Sequence, residues 1–203
     1  MDLNLGFTCK AFISGTLKYK YMQVLKAKKE WSDNIAAPYV MEQVKPLAEV
    51  LQKTSSTIAK QHSARKAGES FSALFLGPQG SGKTTMAAAL GKVSGREVYR
   101  VALSQVVSKY IGETEKNLAK IFDAAANKNW ILFFDEADAL FGKRTDVKDS
   151  HDKYANQEIA YLLQRIENFS GIVIFSASSQ TNIDPAVLKR LRYVIDFSLP
   201  KKK

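Results

Sequence analysis

The segment that most constrains this chain is Gly77-Pro-Gln-Gly-Ser-Gly-Lys83-Thr84, which lies between an apolar run ending at Leu76 and the helix-forming stretch TTMAAALGKV. Glycines at 77, 80 and 82 let the backbone curl so that successive N–H groups point into one concavity. A helix starting at that turn adds the partial positive charge of its N-terminus. The spacing G-x-x-x-x-G-K-[ST] is that of a polyphosphate cradle. Its candidate binding residues are Gly77, Pro78, Gln79, Gly80, Ser81, Gly82, Lys83, Thr84 and Thr85. Lys83 would carry a mobile ammonium to the β and γ phosphates, and the Thr84 hydroxyl suits Mg²⁺. A nucleotide with Mg²⁺ is therefore the expected ligand. A chance glycine turn before a helix is the competing reading, and eight matching positions weigh against it.

The rest of the chain agrees with a strand–turn–helix at this point. Short apolar runs at Phe71–Leu76, Glu97–Leu103, Trp130–Phe134, Gly171–Ala177 and Tyr193–Leu199 alternate with amphipathic stretches at Lys83–Val93, Glu113–Ala126 and Tyr154–Phe169. That alternation predicts an α/β fold, a five-stranded parallel sheet wrapped by helices in three layers. Upstream, Val40, Val44, Leu47, Val50, Leu51 and Ile58 recur at helical spacing, with Pro46 expected to interrupt them. Gln61–Ser70 reads as a loop. The organisation expected is a basic leader over 1–30, a helical segment and loop over 31–70, a nucleotide-binding core over 71–200 and a lysine tail over 201–203.

About fifty residues past the cradle, Trp130-Ile-Leu-Phe-Phe134 runs directly into Asp135-Glu136-Ala-Asp138. A buried strand would deliver Asp135 to the metal's water shell, and Glu136 would polarise the attacking water. Neighbours on an extended chain point to opposite sides, so both can reach one site only where the strand ends. The competing reading is an acidic helix start.

Composition bounds the setting. The chain has 203 residues, 45% of them hydrophobic, which is enough for a core. No stretch approaches the roughly 18 to 20 apolar residues of a membrane helix. No secretory leader is legible, and the single cysteine, Cys9, excludes an internal disulfide, so the cytoplasm is the expected compartment. The formal charge is +10. Residues 1–70 hold 11 basic and 6 acidic groups, whereas 71–200 hold 16 and 14. The excess lies at the two ends, so the charge does not argue for nucleic acid across the core, and such a partner is not expected there.

With the two phosphate motifs in view, the chain resembles an AAA+ ATPase of the classical AAA clade, the katanin-, spastin- and proteasome-type motors. The resemblance covers roughly Trp31 to Pro200 and implies the P-loop NTPase large subdomain. It implies that Lys109, Tyr110, Ile111 and Gly112 form a substrate-gripping pore loop, and that Phe141–Arg144 begins a second. Gly171–Ser178 resembles the sensor strand, where the family usually has Asn at the position of Ser178. Leu188–Arg192 is similar to the arginine-finger region, with Arg190, and Arg192 as second candidate, lent to a neighbouring subunit. Trp31–Ile35 is similar to the segment near the adenine, which makes Ile35 a candidate contact. The run from Ala139 to Glu167 resembles ATPases encoded beside contractile injection particles.

The resemblance implies a homo-oligomeric ring, typically a hexamer, acting on a protein substrate. It also implies a small helical lid after the fifth strand. None is legible here, so weakened nucleotide affinity and poor ring closure are expected of this chain alone. The leading reading is Mg²⁺-dependent ATP hydrolysis that remodels or threads protein. Two others stay open: a nucleotide-dependent scaffold with little turnover, prompted by Ser178 and the missing lid, and a DNA-associated ATPase, prompted by the basic termini.

Overall fold

Each of the five apolar runs forms a parallel strand. The computed structural model describes residues 20–27, 31–32, 35–58, 71–126, 128–141, 150–179 and 183–198, apart from the side chains of 54–58, 150–156 and 186. The basic segment 1–19, the loop Gln61–Ser70, residues 142–149 of the stretch that resembles a second pore loop and the lysine tail lie outside the described residues.

The chain runs β1 (Gln23–Leu25), α1 (Pro38–Ile58), β2 (Phe71–Leu76), α2 (Lys83–Val93), β3 (Glu97–Ala102) and the short α3 (Leu103–Val106). It continues through α4 (Glu113–Ala125), β4 (Trp130–Asp135), the short α5 (Asp138–Phe141), α6 (Ser150–Asn168), β5 (Ile172–Ala177), α7 (Pro185–Leu188) and β6 (Tyr193–Asp196). The sheet order is β1-β3-β4-β5-β2-β6. Strands β2 to β6 run parallel to one another, with Leu76 opposite Ala177 and Ala102 opposite Asp135.

The sheet has six strands where the sequence predicts five. The sixth, β1, comes from the basic leader and runs antiparallel along β3, with Gln23 opposite Arg100. Met22, beside it, is buried in the core. Part of the basic leader is therefore sheet.

Helices cover both faces, which is why every residue of β2 and β5 is buried. On one face α1 and α2 set Val44, Leu47, Leu51, Met86 and Leu90 against Phe75, Phe133 and Ile174. On the other, α4 and α6 set Leu118, Phe122, Leu162 and Ile166 against Leu74, Phe134 and Phe175. Adjacent residues such as Phe133 and Phe134 serve opposite layers, as a period of two requires.

Helix α1 does not stop at Pro46 but runs 21 residues through it. Proline removes one helical N–H and crowds the carbonyl four residues back. Here Glu42 and Pro46 both face solvent, so water can serve that carbonyl while Val44, Leu47 and Leu51 hold the buried stripe. The same helix guards the far sheet edge. Gln43 accepts the Asp196 N–H at 3.0 Å and donates to its carbonyl at 3.5 Å.

Gly91 sets the approach of α2 to β3. A Cβ there would meet the Val98 side chain and lie 2.9 Å from the Arg96 carbonyl oxygen. Gly91→Val is expected to cost about 2–3 kcal/mol by overpacking. Urea unfolding measures it, and an unchanged midpoint would mean that α2 can step back from the sheet.

Candidate active site

Parallel α/β sheets place their ligand crevices at the carboxyl ends of the strands. Here β2, β4 and β5 end together around a cleft of about 440 Å³, lined by the Gly-rich turn, by Asp135, Glu136 and Asp138, and by Ser176 and Ser178.

The turn is built as its residue types demand. Gly77, Gly80 and Gly82 all have positive φ, at 144°, 82° and 97°. At Gly77 the requirement is double, because a Cβ would sit 2.9 Å from that of Phe197 and 3.1 Å from the Ser81 hydroxyl. Gly82 caps α2, its carbonyl accepting the Met86 N–H at 2.9 Å. Lys83 folds back along the turn and donates to the carbonyls of Gly77 at 2.6 Å and Pro78 at 2.8 Å. It also reaches Ser81 Oγ at 3.4 Å. Burial lowers the Lys83 ammonium below the usual lysine range, against the attraction of Asp135 and Asp138, which raises it. Gln79, Thr84 and Thr85 line the cleft.

The acidic side faces this turn. Strand β4 ends at Asp135, and Glu136 enters the left-handed region with φ 59°, the only non-glycine among the described residues with positive φ. That backbone reversal lets both neighbours reach one cleft. It is a strained arrangement for glutamate, of the kind held in place at functional sites. Asp135 accepts from the Ser176 hydroxyl and from the Glu136 N–H on Oδ1, and from Arg100 Nε on Oδ2 at 2.7 Å. The Ser104 hydroxyl of α3 donates to Glu136. Asp138 accepts the Ser178 N–H at 2.8 Å through Oδ2, while its Oδ1 is buried without a protein partner.

Of the residues read from sequence, Gln79, Gly80, Gly82, Lys83, Thr84, Thr85, Asp135, Glu136 and Ser178 meet in one cleft; Gly77, Pro78 and Ser81 belong to the same turn without lining it, and Ile35, Arg190 and Arg192 do not line it either. Ile35 packs half-buried on the α1–α2 side of the sheet. Arg190 pairs with Glu167 at 3.5 Å on the surface. The Arg192 N–H donates to the Ser72 carbonyl at the opposite end of β2 from the cleft, with its guanidinium over Tyr193. Lys109, Tyr110 and Ile111 are exposed, the latter two to 73% and 72%, and Gly112 with φ 77° caps α4. Their turn is tied from within: Ser108 Oγ accepts the Tyr110 N–H at 3.2 Å, and Thr114 Oγ1 accepts the Ser108 N–H at 3.0 Å.

Sequence reasoning missed Arg100, Ser104 and Ser176. The first had a signal, an arginine inside the apolar run Glu97–Leu103. Ser176 shares a strand face with Ser178, and nothing local says which hydroxyl meets Asp135.

Strand, glycine turn and helix converging on an acidic strand end is the architecture of P-loop nucleoside triphosphatases, and this chain is one. The profile of the ATPase family associated with various cellular activities (AAA) matches residues 73–199. The chain belongs to this family, as an ATPase module with the large α/β subdomain.

It is 37% identical over 133 residues to the ATPase family gene 2 protein of Schizosaccharomyces pombe, covering 64% of this chain and 16% of that one. With the proteasome-activating nucleotidase 1 of Haloferax volcanii it shares 34% over 133 residues, 63% of this chain and 33% of the other. With the 26S proteasome regulatory subunit 7 homolog B of Arabidopsis thaliana it shares 37% over 134 residues, 63% and 29%. The chain thus spans a third or less of the length of these relatives.

Among the described residues no helix is long and apolar enough to cross a membrane. Nor do they contain a group of three or more His, Cys, Asp or Glu placed to hold a metal by themselves. A cation at this site would complete its shell from phosphate and water, which is the habit of Mg²⁺. The oxygen-only donors of Thr84 and Asp135 and the unpartnered buried Asp138 Oδ1 fit such an ion.

Proposed function

We propose that this module hydrolyses Mg²⁺-ATP and couples turnover to the remodelling or threading of a protein substrate. The observation that carries the coupling is the internally hydrogen-bonded turn presenting Tyr110 and Ile111 to solvent, only a few residues beyond the Ser104 hydroxyl on Glu136. Two adjacent large side chains at that exposure offer an apolar contact to a partner. Short α3 joins the two sites, and Asn117 of α4 is hydrogen-bonded to its Val106 carbonyl at 3.2 Å.

In this reading the cradle binds the phosphates, and Lys83 exchanges the Gly77 and Pro78 carbonyls for phosphate oxygens. Thr84 and Asp135 would hold Mg²⁺, which would neutralise charge on the phosphates. Glu136 orients and deprotonates the attacking water, while Ser178, which lines the cleft, would act as the sensor. Arg190 does not line its own cleft. Its exposed guanidinium suits a neighbour's γ-phosphate, which calls for a ring, with Arg192 as the alternative donor. Relatives named as proteasome-activating nucleotidases support a protein substrate for this chain.

Tyr110→Ala should weaken binding of unfolded casein about tenfold or more, since aromatic anchors dominate such contacts. Fluorescence anisotropy in the presence of a slowly hydrolysed ATP analogue measures it. Unchanged casein affinity would remove the threading reading.

A further inference from the structure

The cleft holds a second cation besides Lys83, and neither phosphate motif supplies it. Arg100 projects from β3 and grips Asp135 with two donors, Nε and Nη2, each 2.7 Å from Oδ2. The remaining oxygen, Oδ1, takes the Ser176 hydroxyl and the Glu136 N–H. Both oxygens of the carboxylate proposed to serve the metal are therefore engaged. The Asp135 side chain is only 15% exposed and that of Arg100 34%, so solvent screens the contact incompletely.

The backbone of Arg100 is held on both sides, opposite Gln23 of β1 and Phe133 of β4. Its side chain has room on its outer flank, where a hollow of about 120 Å³ lies between Lys20, Tyr21, Gln23, Gln105 and Arg100 itself, and the Lys20 ammonium there disfavours a guanidinium resting in it. The guanidinium can thus change partners by rotation while the strand stays still.

We propose that Arg100 is a positioning residue that competes with the divalent cation at Asp135 and yields that carboxylate when nucleotide phosphate offers it a second anion. This rests on the role proposed above for Asp135. A divalent ion approaching alone meets a like charge already seated on its ligand. A planar guanidinium binds carboxylate and phosphate with the same two-donor fork, so an arriving triphosphate gives it an equivalent partner. Metal and nucleotide then load together rather than separately.

The test uses the full chain, with Mn²⁺ as a spin probe followed by electron paramagnetic resonance, with and without a slowly hydrolysed ATP analogue. Arg100→Met should bind nucleotide-free Mn²⁺ about tenfold tighter than the unaltered protein, by removing a nearby positive charge. Arg100→Gln, which keeps a polar side chain and loses the charge, should do the same, while Arg100→Lys should stay close to the unaltered protein. The factor by which the analogue tightens Mn²⁺ binding should shrink correspondingly, and reciprocity requires the same change in how Mn²⁺ tightens the analogue. A merely structural arginine would not yield a gain of binding when removed. Nucleotide-free Mn²⁺ affinity no higher in Arg100→Met and Arg100→Gln than in the unaltered protein overturns the proposal. Asp135→Asn separates the two layers: if it leaves Mn²⁺ binding with the analogue intact, the metal role of Asp135 falls and takes this proposal with it. If Asp135→Asn abolishes that binding while the Arg100 variants show no gain, only the role of Arg100 falls.

Discussion

Glu136→Gln is expected to keep ATP bound while slowing phosphate release by about 10²–10⁴-fold, the usual worth of a positioned general base. The amide has the shape of the carboxylate and can still accept the Ser104 hydroxyl, so the local hydrogen bond survives. What it loses is the capacity to take a proton from water. The backbone turn at φ 59° is set by the strand end and remains available to glutamine. Single-turnover phosphate release, with nucleotide binding measured in parallel, separates chemistry from affinity. Equal release from the two proteins would end the hydrolytic role of Glu136 and favour a nucleotide-dependent scaffold.

Phe175→Ala should lower the unfolding free energy by about 3–5 kcal/mol, the range for emptying a large aromatic from a packed core. Phe175 is fully buried on β5, between β2 and β4. Its ring stacks on Phe134 at 5.3 Å and 16° and meets Phe141 at 5.1 Å and 60°. Phe134 directly precedes Asp135, and the Phe141 carbonyl accepts the Asp184 N–H at 3.1 Å. The cavity would therefore lie immediately behind the acidic strand end, and ATP turnover should fall together with stability. Denaturant titration checks the first effect. A loss under about 1 kcal/mol would mean that neighbouring rings collapse into the space.

How much of this was legible differs between elements for physical reasons. Strands such as β2 and β5 are buried on both faces, so each is a run of apolar residues that needs no partner to be recognised. The cradle is equally local, since its glycines answer to backbone angles within the turn. Strand β1 is the opposite case: Gln-Val-Leu among lysines is too short for a period, and its pairing partner lies some seventy-five residues away. Pro46 misled because a proline's cost depends on whether the carbonyl it orphans faces water, which requires knowing the buried side of the helix. Arg100 stood out as a charge in an apolar run, but its partner Asp135 belongs to the next strand over. Only sheet register brings the two together.

Strand β1 also bears on how this module can be handled. The family match begins at residue 73, and a fragment cut to that boundary would lack β1 and α1. Removing β1 would bare the outer N–H and C=O groups of β3, a ready template for another chain. Removing α1 would strip Gln43 from the β6 backbone at the opposite rim. A shortened protein would thus offer adhesive borders on both sides, and its precipitation would say nothing about the catalytic centre. Useful boundaries for isolating this module begin before Lys20, well outside the stretch that identifies its family.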